Sequence, residues 1–171
     1  ILRGGAGNDT IKGTSGNNSL YGDAGNDTIF SGTGDDFIDG GEDSDTVHYG
    51  AATSGIKVDL SNEDSQNIGG GMGKDTIANI ENVIGSNYGD TIKGNNSANI
   101  LIGAAGDDTF IASRGKDTIY GGTLDNSLVS GEINTISYQD EAQNVIVDMS
   151  QNLSGLNISG SISTTDNATL H

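Results

Sequence analysis

Asp9, Asp27 and Asp45 stand 18 residues apart, with Asn18 and Asp36 midway between them. Each follows a glycine-rich stretch and precedes, two positions on, one large apolar residue. A single aspartate in such a place is an ordinary solvated turn residue. A row of them at constant spacing repels itself when stacked, unless a cation lies between. Carboxylates, joined by backbone carbonyls that the glycine-rich stretches turn outward, are hard oxygen donors. That set suits Ca2+.

Other chemistry is poorly provided for. "GGGMGKDT" (69–76) has the look of a phosphate cradle, but that motif needs Gly at 68 and Ser or Thr at 75, where this chain has Ile68 and Asp75. His48 and His171 are the only histidines, and no H-E-x-x-H signature surrounds either. His48 reads as an exposed residue at the end of a short strand. No serine sits in a nucleophile context, and the N-x-S/T triplets at Asn8, Asn26 and Asn157 follow from the asparagine-rich composition. The sequence predicts no enzyme.

The elements that must position the aspartates follow from the period. Five nine-residue units run without a gap: "GGAGNDTIK" (4–12), "GTSGNNSLY" (13–21), "GDAGNDTIF" (22–30), "SGTGDDFID" (31–39) and "GGEDSDTVH" (40–48). Their frame is G-G-x-G-x-D-x-U-x, with U large and apolar. Positions one to six are turn-like, since glycine allows positive φ and close backbone approach. Positions seven to nine suit a three-residue strand whose middle residue points inward, giving an inner column of Ile11, Leu20, Ile29, Ile38 and Val47. Strands this short pair poorly as hairpins but can wind as a solenoid, each pairing in parallel with the next coil. One buried aliphatic per unit is worth only about 1.5–3 kcal/mol. That is too little to order the glycine-rich turns, so the turns need a further staple.

Composition agrees. The 171 residues include 28 glycines, no proline and only 32% hydrophobic residues, too few for one large core. Acidic residues number 24 against 7 basic, a net charge of −17, which disfavours nucleic acid and anionic membrane as partners. No cysteine is present, so neither disulfides nor thiolate metal sites can act as the staple. No apolar run approaches the length of a membrane span, and "ILRGGAG" is not a cleavable signal peptide.

The units resemble the RTX (repeats-in-toxin) nonapeptides of secreted bacterial proteins. The resemblance implies an all-β fold, a parallel β-roll or right-handed β-solenoid, with two nonapeptides per coil. It also implies Ca2+ ions held between repeats n and n+2 by aspartates and carbonyls. Carried over, one ion lies between Asp9 and Asp27 with carbonyls of Gly5, Gly7, Gly22 and Ala24. A second lies between Asp27 and Asp45 with Asp23, Gly25, Gly40 and Glu42. The opposite side joins Asn18 to Asp36 with Thr14, Gly16, Ser31 and Thr33; Asn18 brings an amide oxygen without charge, so this site should be weaker.

A second array follows. "GGMGKDTIA" (70–78) fits the frame, and "NIENVI" (79–84) breaks it. From Gly85 the frame resumes through Val129, pairing Asp90 with Asp108 (carbonyls of Ser86, Tyr88, Gly103 and Ala105), Asn99 with Asp117, and Asp108 with Asn126. Tyr88 and Leu124 replace glycines, and Arg114 and Lys116 enter a binding turn, so fewer or weaker ions are expected here. "DTVHYGAATSGIKVDLS" (45–61) aligns with "NTISYQDEAQNVIVDMS" (134–150), matching Tyr49 to Tyr138 and Ile56/Val58/Leu60 to Val145/Val147/Met149. The shared motif favours longer strands that continue the stack, with surface loops as the alternative. The expected division is a first roll block (1–48), a spacer (49–84), a degenerate second block (85–138) and a second spacer (139–171), all cut from a longer tandem chain. Ice binding is disfavoured because the third repeat position (Ala6, Ser15, Ala24, Thr33, Glu42) lacks a threonine rank. The reading is a Ca2+-dependent spacer of a secreted bacterial surface protein that adjoins further domains and folds after export. A cell-surface or carbohydrate ligand is an open possibility, and the alternative is the accessory region of a secreted enzyme or toxin.

Overall fold

A computed structural model describes residues 1–111, 113–122 and 133–137, together with the strand 156–159. Asn126, Tyr138 and the remainder of the second spacer, including Val145, Val147, Met149 and His171, lie outside the described residues. The first five units supply β1 (Leu2–Ala6), β2 (Thr10–Lys12), β3 (Ser19–Ala24), β4 (Thr28–Phe30), β5 (Phe37–Glu42) and β6 (Thr46–His48). The segment to residue 84 adds β7 (Lys57–Asp59), β8 (Gln66–Asn67), β9 (Lys74–Ala78) and β10 (Asn82–Ile84). The second array adds β11 (Thr91–Lys93), β12 (Ile100–Ile102), β13 (Thr109–Ile111) and β14 (Thr118–Tyr120), followed by β15 (Asn134–Ser137) and β16 (Leu156–Ser159). The described residues contain no helix.

These strands form a parallel β-roll. One face is a single six-stranded sheet, β2-β4-β6-β10-β12-β14 in spatial order. The opposite face is split in two: β1-β3-β5-β9-β8 over the first array, and β7-β11-β13-β15-β16 over the second. All neighbours are parallel except β8 and β9. Register within the arrays follows the 18-residue coil, as in Leu20↔Ile38 and Ile29↔Val47.

The inner column forms as expected, with Ile11, Leu20, Ile29, Ile38 and Val47 all buried. It continues through Ile77, Val83, Ile92, Leu101, Phe110 and Ile136 as one apolar cluster. Ile56, Val58 and Leu60 join it around β7, which pairs with β11 (Val58↔Ile92). The alternation over 56–60 is thus a strand continuing the stack.

Two details differ from the sequence reading. On one face β3 and β5 run six residues, because the second and third turn positions pair with the next coil (Gly5↔Asp23, Ala6↔Ala24). Equal coil lengths bring those peptide groups level, and buried N–H and C=O groups take the available partners. Gly4 alone is skipped in that ladder. Secondly, "NIENVI" breaks the nine-residue frame but not the roll: Asn82-Val83-Ile84 is β10, seated between β6 and β12.

Candidate metal centre

The turns leading into the six-stranded sheet stack their sixth residues in one column. The Asp9 N–H donates to Asp27 Oδ1 at 2.7 Å, and the Asp27 N–H donates to Asp45 Oδ1 at 2.8 Å. One carboxylate oxygen of each pair therefore builds the ladder. The other is left over: among the described residues, Oδ2 of Asp9, Asp27 and Asp45 is buried and accepts no hydrogen bond. A buried carboxylate oxygen without a donor is costly, of the order of 1–3 kcal/mol or more.

Each leftover oxygen borders the same kind of cradle. A Cβ on Gly4 would stand 2.7 Å from both Asp9 Oδ2 and the Gly22 carbonyl oxygen, so only glycine leaves the space between them open. The pattern repeats one coil on, where a Cβ on Gly22 would collide with Asp27 Oδ2 and the Gly40 carbonyl. Carboxylate and carbonyl oxygens converging on a space that no protein donor fills is the arrangement a hard cation requires. The residues present fit Ca2+, which when bound supplies the positive charge those oxygens lack. Ala24 and Glu42 carbonyls accept the N–H of Gly7 (2.8 Å) and Gly25 (3.4 Å) and keep a second lone pair for an ion. Without a cation the column is electrostatically strained: burial, and then the charges of Asp27, Glu81 and Asp43, push the Asp45 carboxyl up to about 6.

The column entering β3, β5 and β9 is built differently. Its ladder runs Asn18 N–H to Asp36 Oδ1 (2.7 Å) and Asp36 N–H to Asp75 Oδ1 (3.0 Å). Asp36 Oδ2 is again buried without a donor. The Asn18 amide, however, turns its nitrogen inward, donating to the Thr14 carbonyl (3.1 Å), the Gly16 carbonyl (2.5 Å) and Asp36 Oδ1 (3.2 Å). Three of the expected ligands are thus occupied by an NH2 group where the sequence reading placed an amide oxygen. Asp75 closes the column: its Oδ2 accepts the hydroxyl of Tyr49 at 3.0 Å, and both side chains are buried. Burial raises the Asp75 carboxyl to about 7 and holds the Tyr49 hydroxyl well above its usual range. The phenol stands where the other aspartates leave an oxygen open.

The second array satisfies much of itself. Asp90 N–H donates to Asp108 Oδ1 (2.9 Å), as expected, and Asn99 N–H donates to Asp117 Oδ1 (3.1 Å). The space beside Gly85 is bordered by Asp90 Oδ2 and the Gly103 carbonyl, repeating the first array's cradle. Yet Asp90 already receives the Ser86 hydroxyl (2.7 Å) and Ser86 N–H (2.6 Å), and Asn99 Oδ1 receives the Asn95 N–H (2.9 Å). The Tyr88 carbonyl accepts from the Ser86 hydroxyl at 3.3 Å. Asp108 is followed in its column by Asn134, whose Oδ1 accepts the Asp108 N–H at 2.9 Å. This partner stands 26 residues on, a length the repeat frame does not encode, and the expected partner, Asn126, lies outside the described residues.

Several working residues escaped the sequence reading. Glu81 continues the first column beyond Asp45, and Asp75 the second beyond Asp36. The fifth repeat position bears a second ladder of opposite direction: Asn26 N–H donates to Asn8 Oδ1, and Ser44 N–H to Asn26 Oδ1. Recurrence of Asn at Asn8, Asn17 and Asn26 was the available signal. His48 is half-buried, not exposed; it stacks on Phe30 with centroids 4.5 Å apart, and its Nδ1 accepts the Gly50 N–H.

Comparison with curated proteins gives no match for this chain. The family model of the RTX calcium-binding nonapeptide repeat matches in four copies, over residues 3–38, 21–53, 84–119 and 94–128. Those spans cover both arrays and more than half of the chain, and they hold Asp9, Asp27, Asp36, Asp45, Asp90 and Asp108 with the cradles at Gly4, Gly22 and Gly85, while Asp75, Glu81 and Asn134 lie outside them. With its 18-residue parallel coils and its rows of buried, unsatisfied aspartate oxygens, the chain belongs to the RTX calcium-binding nonapeptide repeat family, a Ca2+-binding structural module.

Proposed function

We propose that this chain is a calcium-folded spacer of a larger secreted bacterial surface protein or adhesin. In this reading the blocks 1–48 and 85–138 are clamped by Ca2+, and residues 49–84 and 139–171 join them to each other and to adjoining domains. The ions sit between Asp9 and Asp27, with carbonyls of Gly5, Gly7, Gly22 and Ala24, and between Asp27 and Asp45, with those of Asp23, Gly25, Gly40 and Glu42. Asp36 and the Asp90–Asp108 pair are secondary positions. The carrying observation is the buried Oδ2 of Asp9, Asp27 and Asp45, each left without a donor in a chain of net charge −17.

The mechanism is coupled folding. Without metal, the stacked carboxylates repel and hold the chain expanded; an ion that binds only the stacked form stabilises it by mass action. Extracellular calcium modules bind at roughly 10⁻⁴–10⁻³ M, so cytosolic calcium leaves the chain open and the exterior closes it. The spacer motif at 45–61, repeated at 134–150, favours a tandem rod over a single enzyme appendage. Circular dichroism during calcium titration tests the reading. The β signal should grow with added Ca2+, and a chain already rich in β structure in excess chelator would refute it.

A further inference from the structure

The first carboxylate column does not stop where the repeats stop. The Asp45 N–H donates to Glu81 Oε2 at 2.9 Å, across 36 residues of chain, as Asp9 and Asp27 donate to their successors across 18. Asp45 is fully buried, and its Oδ2 has no hydrogen-bond donor. A Cβ on Gly40 would stand 2.5 Å from Asp45 Oδ2 and would collide with the carbonyl oxygen of Asn79. That is the cradle of Gly4 and Gly22 again, with Asn79 now in the place of the next repeat's glycine. Asn79 adopts φ 48°, a left-handed conformation unusual outside glycine.

Register shows how residues outside the repeats reach this position. Asp39 pairs with Ala78 and Thr46 with Asn82, so the three residues Asn79-Ile80-Glu81 span the turn that Gly40 to Asp45 spans with six. Glu81 directly precedes Asn82 as Asp45 directly precedes Thr46, so the two carboxylate residues enter the sheet in register. On the other side Gly41 and Asp43 hold the left-handed second and fourth positions, as Gly5 and Gly7 do at the first proposed site.

We propose that Asp45 and Glu81, with the Asn79 carbonyl, form a further Ca2+ site that ties the end of the first array to the spacer. It rests on the calcium reading above but lies across a boundary that the repeat spans (21–53 and 84–119) leave uncovered. The site makes the spacer part of the clamped rod, so that calcium binding in the first array aligns β10, and through it the second array.

Glu81→Gln tests it, because the amide oxygen of glutamine still accepts the Asp45 N–H while the charge is lost. Calorimetric titration with CaCl2 should count one ion fewer per chain than the wild type, with the remaining ions retained. An unchanged count and unchanged affinities would overturn the site. Should the variant fail to fold, hydrogen–deuterium exchange of the wild-type chain decides. Calcium should slow exchange at Asn79–Asn82 together with the Asp9–Asp45 turns, and protection of those turns without Asn79–Asn82 would overturn the site. A wild type that takes up no calcium would instead overturn the proposed function, and this site with it.

Discussion

Tyr49→Phe removes one oxygen from a fully buried pair and nothing else. The lost hydroxyl donates at 3.0 Å to Asp75 Oδ2, and the other oxygen of that carboxylate already accepts the Asp36 N–H. Phenylalanine keeps the packing, so the loss is that of one hydrogen bond to a charged acceptor, about 1.5–3 kcal/mol. The size should depend on pH. Burial raises the Asp75 carboxyl to about 7, so in the folded chain it is protonated below that point and ionised above it. A carboxyl raised by folding favours the folded state at low pH and disfavours it as pH climbs through the folded value. The tyrosine offsets that penalty by hydrogen-bonding the ionised form. The variant should therefore lose most near pH 8 and distinctly less near pH 5, roughly two units below the folded value of Asp75. Urea denaturation at saturating Ca2+, followed by circular dichroism at both pH values, measures this. A lower midpoint with an unchanged slope is expected. Equal midpoints for wild type and variant at both pH values would refute the claim that the phenol substitutes for a cation at Asp75.

Asp27→Ala strikes a residue shared by two proposed sites and should lower the calorimetric calcium count by two; a loss of one or none would contradict the pairing. Asn18→Asp replaces an inward amide nitrogen, now donating to Thr14 and Gly16 carbonyls, with a carboxylate. It should add one ion on the Asp36 side and raise the calcium-dependent melting temperature, whereas an unchanged count would show that the amide does not block that position.

Much of this molecule is local and was therefore legible. A nine-residue frame with one apolar residue per unit fixes short strands, an 18-residue coil and an inner column from Ile11 to Val47, because each coil needs only its neighbours. The Asp9-Asp27-Asp45 column followed from the same arithmetic. Tertiary structure decided what happens where the arithmetic fails. Across the spacer the stacked partners are 36 and 39 residues apart, and after β13 they are 26 apart; such lengths are set by which strands bury their apolar faces together. Hence Glu81, Asp75 and Asn134 stayed hidden as members of the columns. The sequence marked Asn18 as the position expected to be weak, but only the packed turn, with three acceptors facing one amide, decided which end of that side chain points inward. Period is a property of neighbours along the chain, and register across an insertion belongs to the sheet.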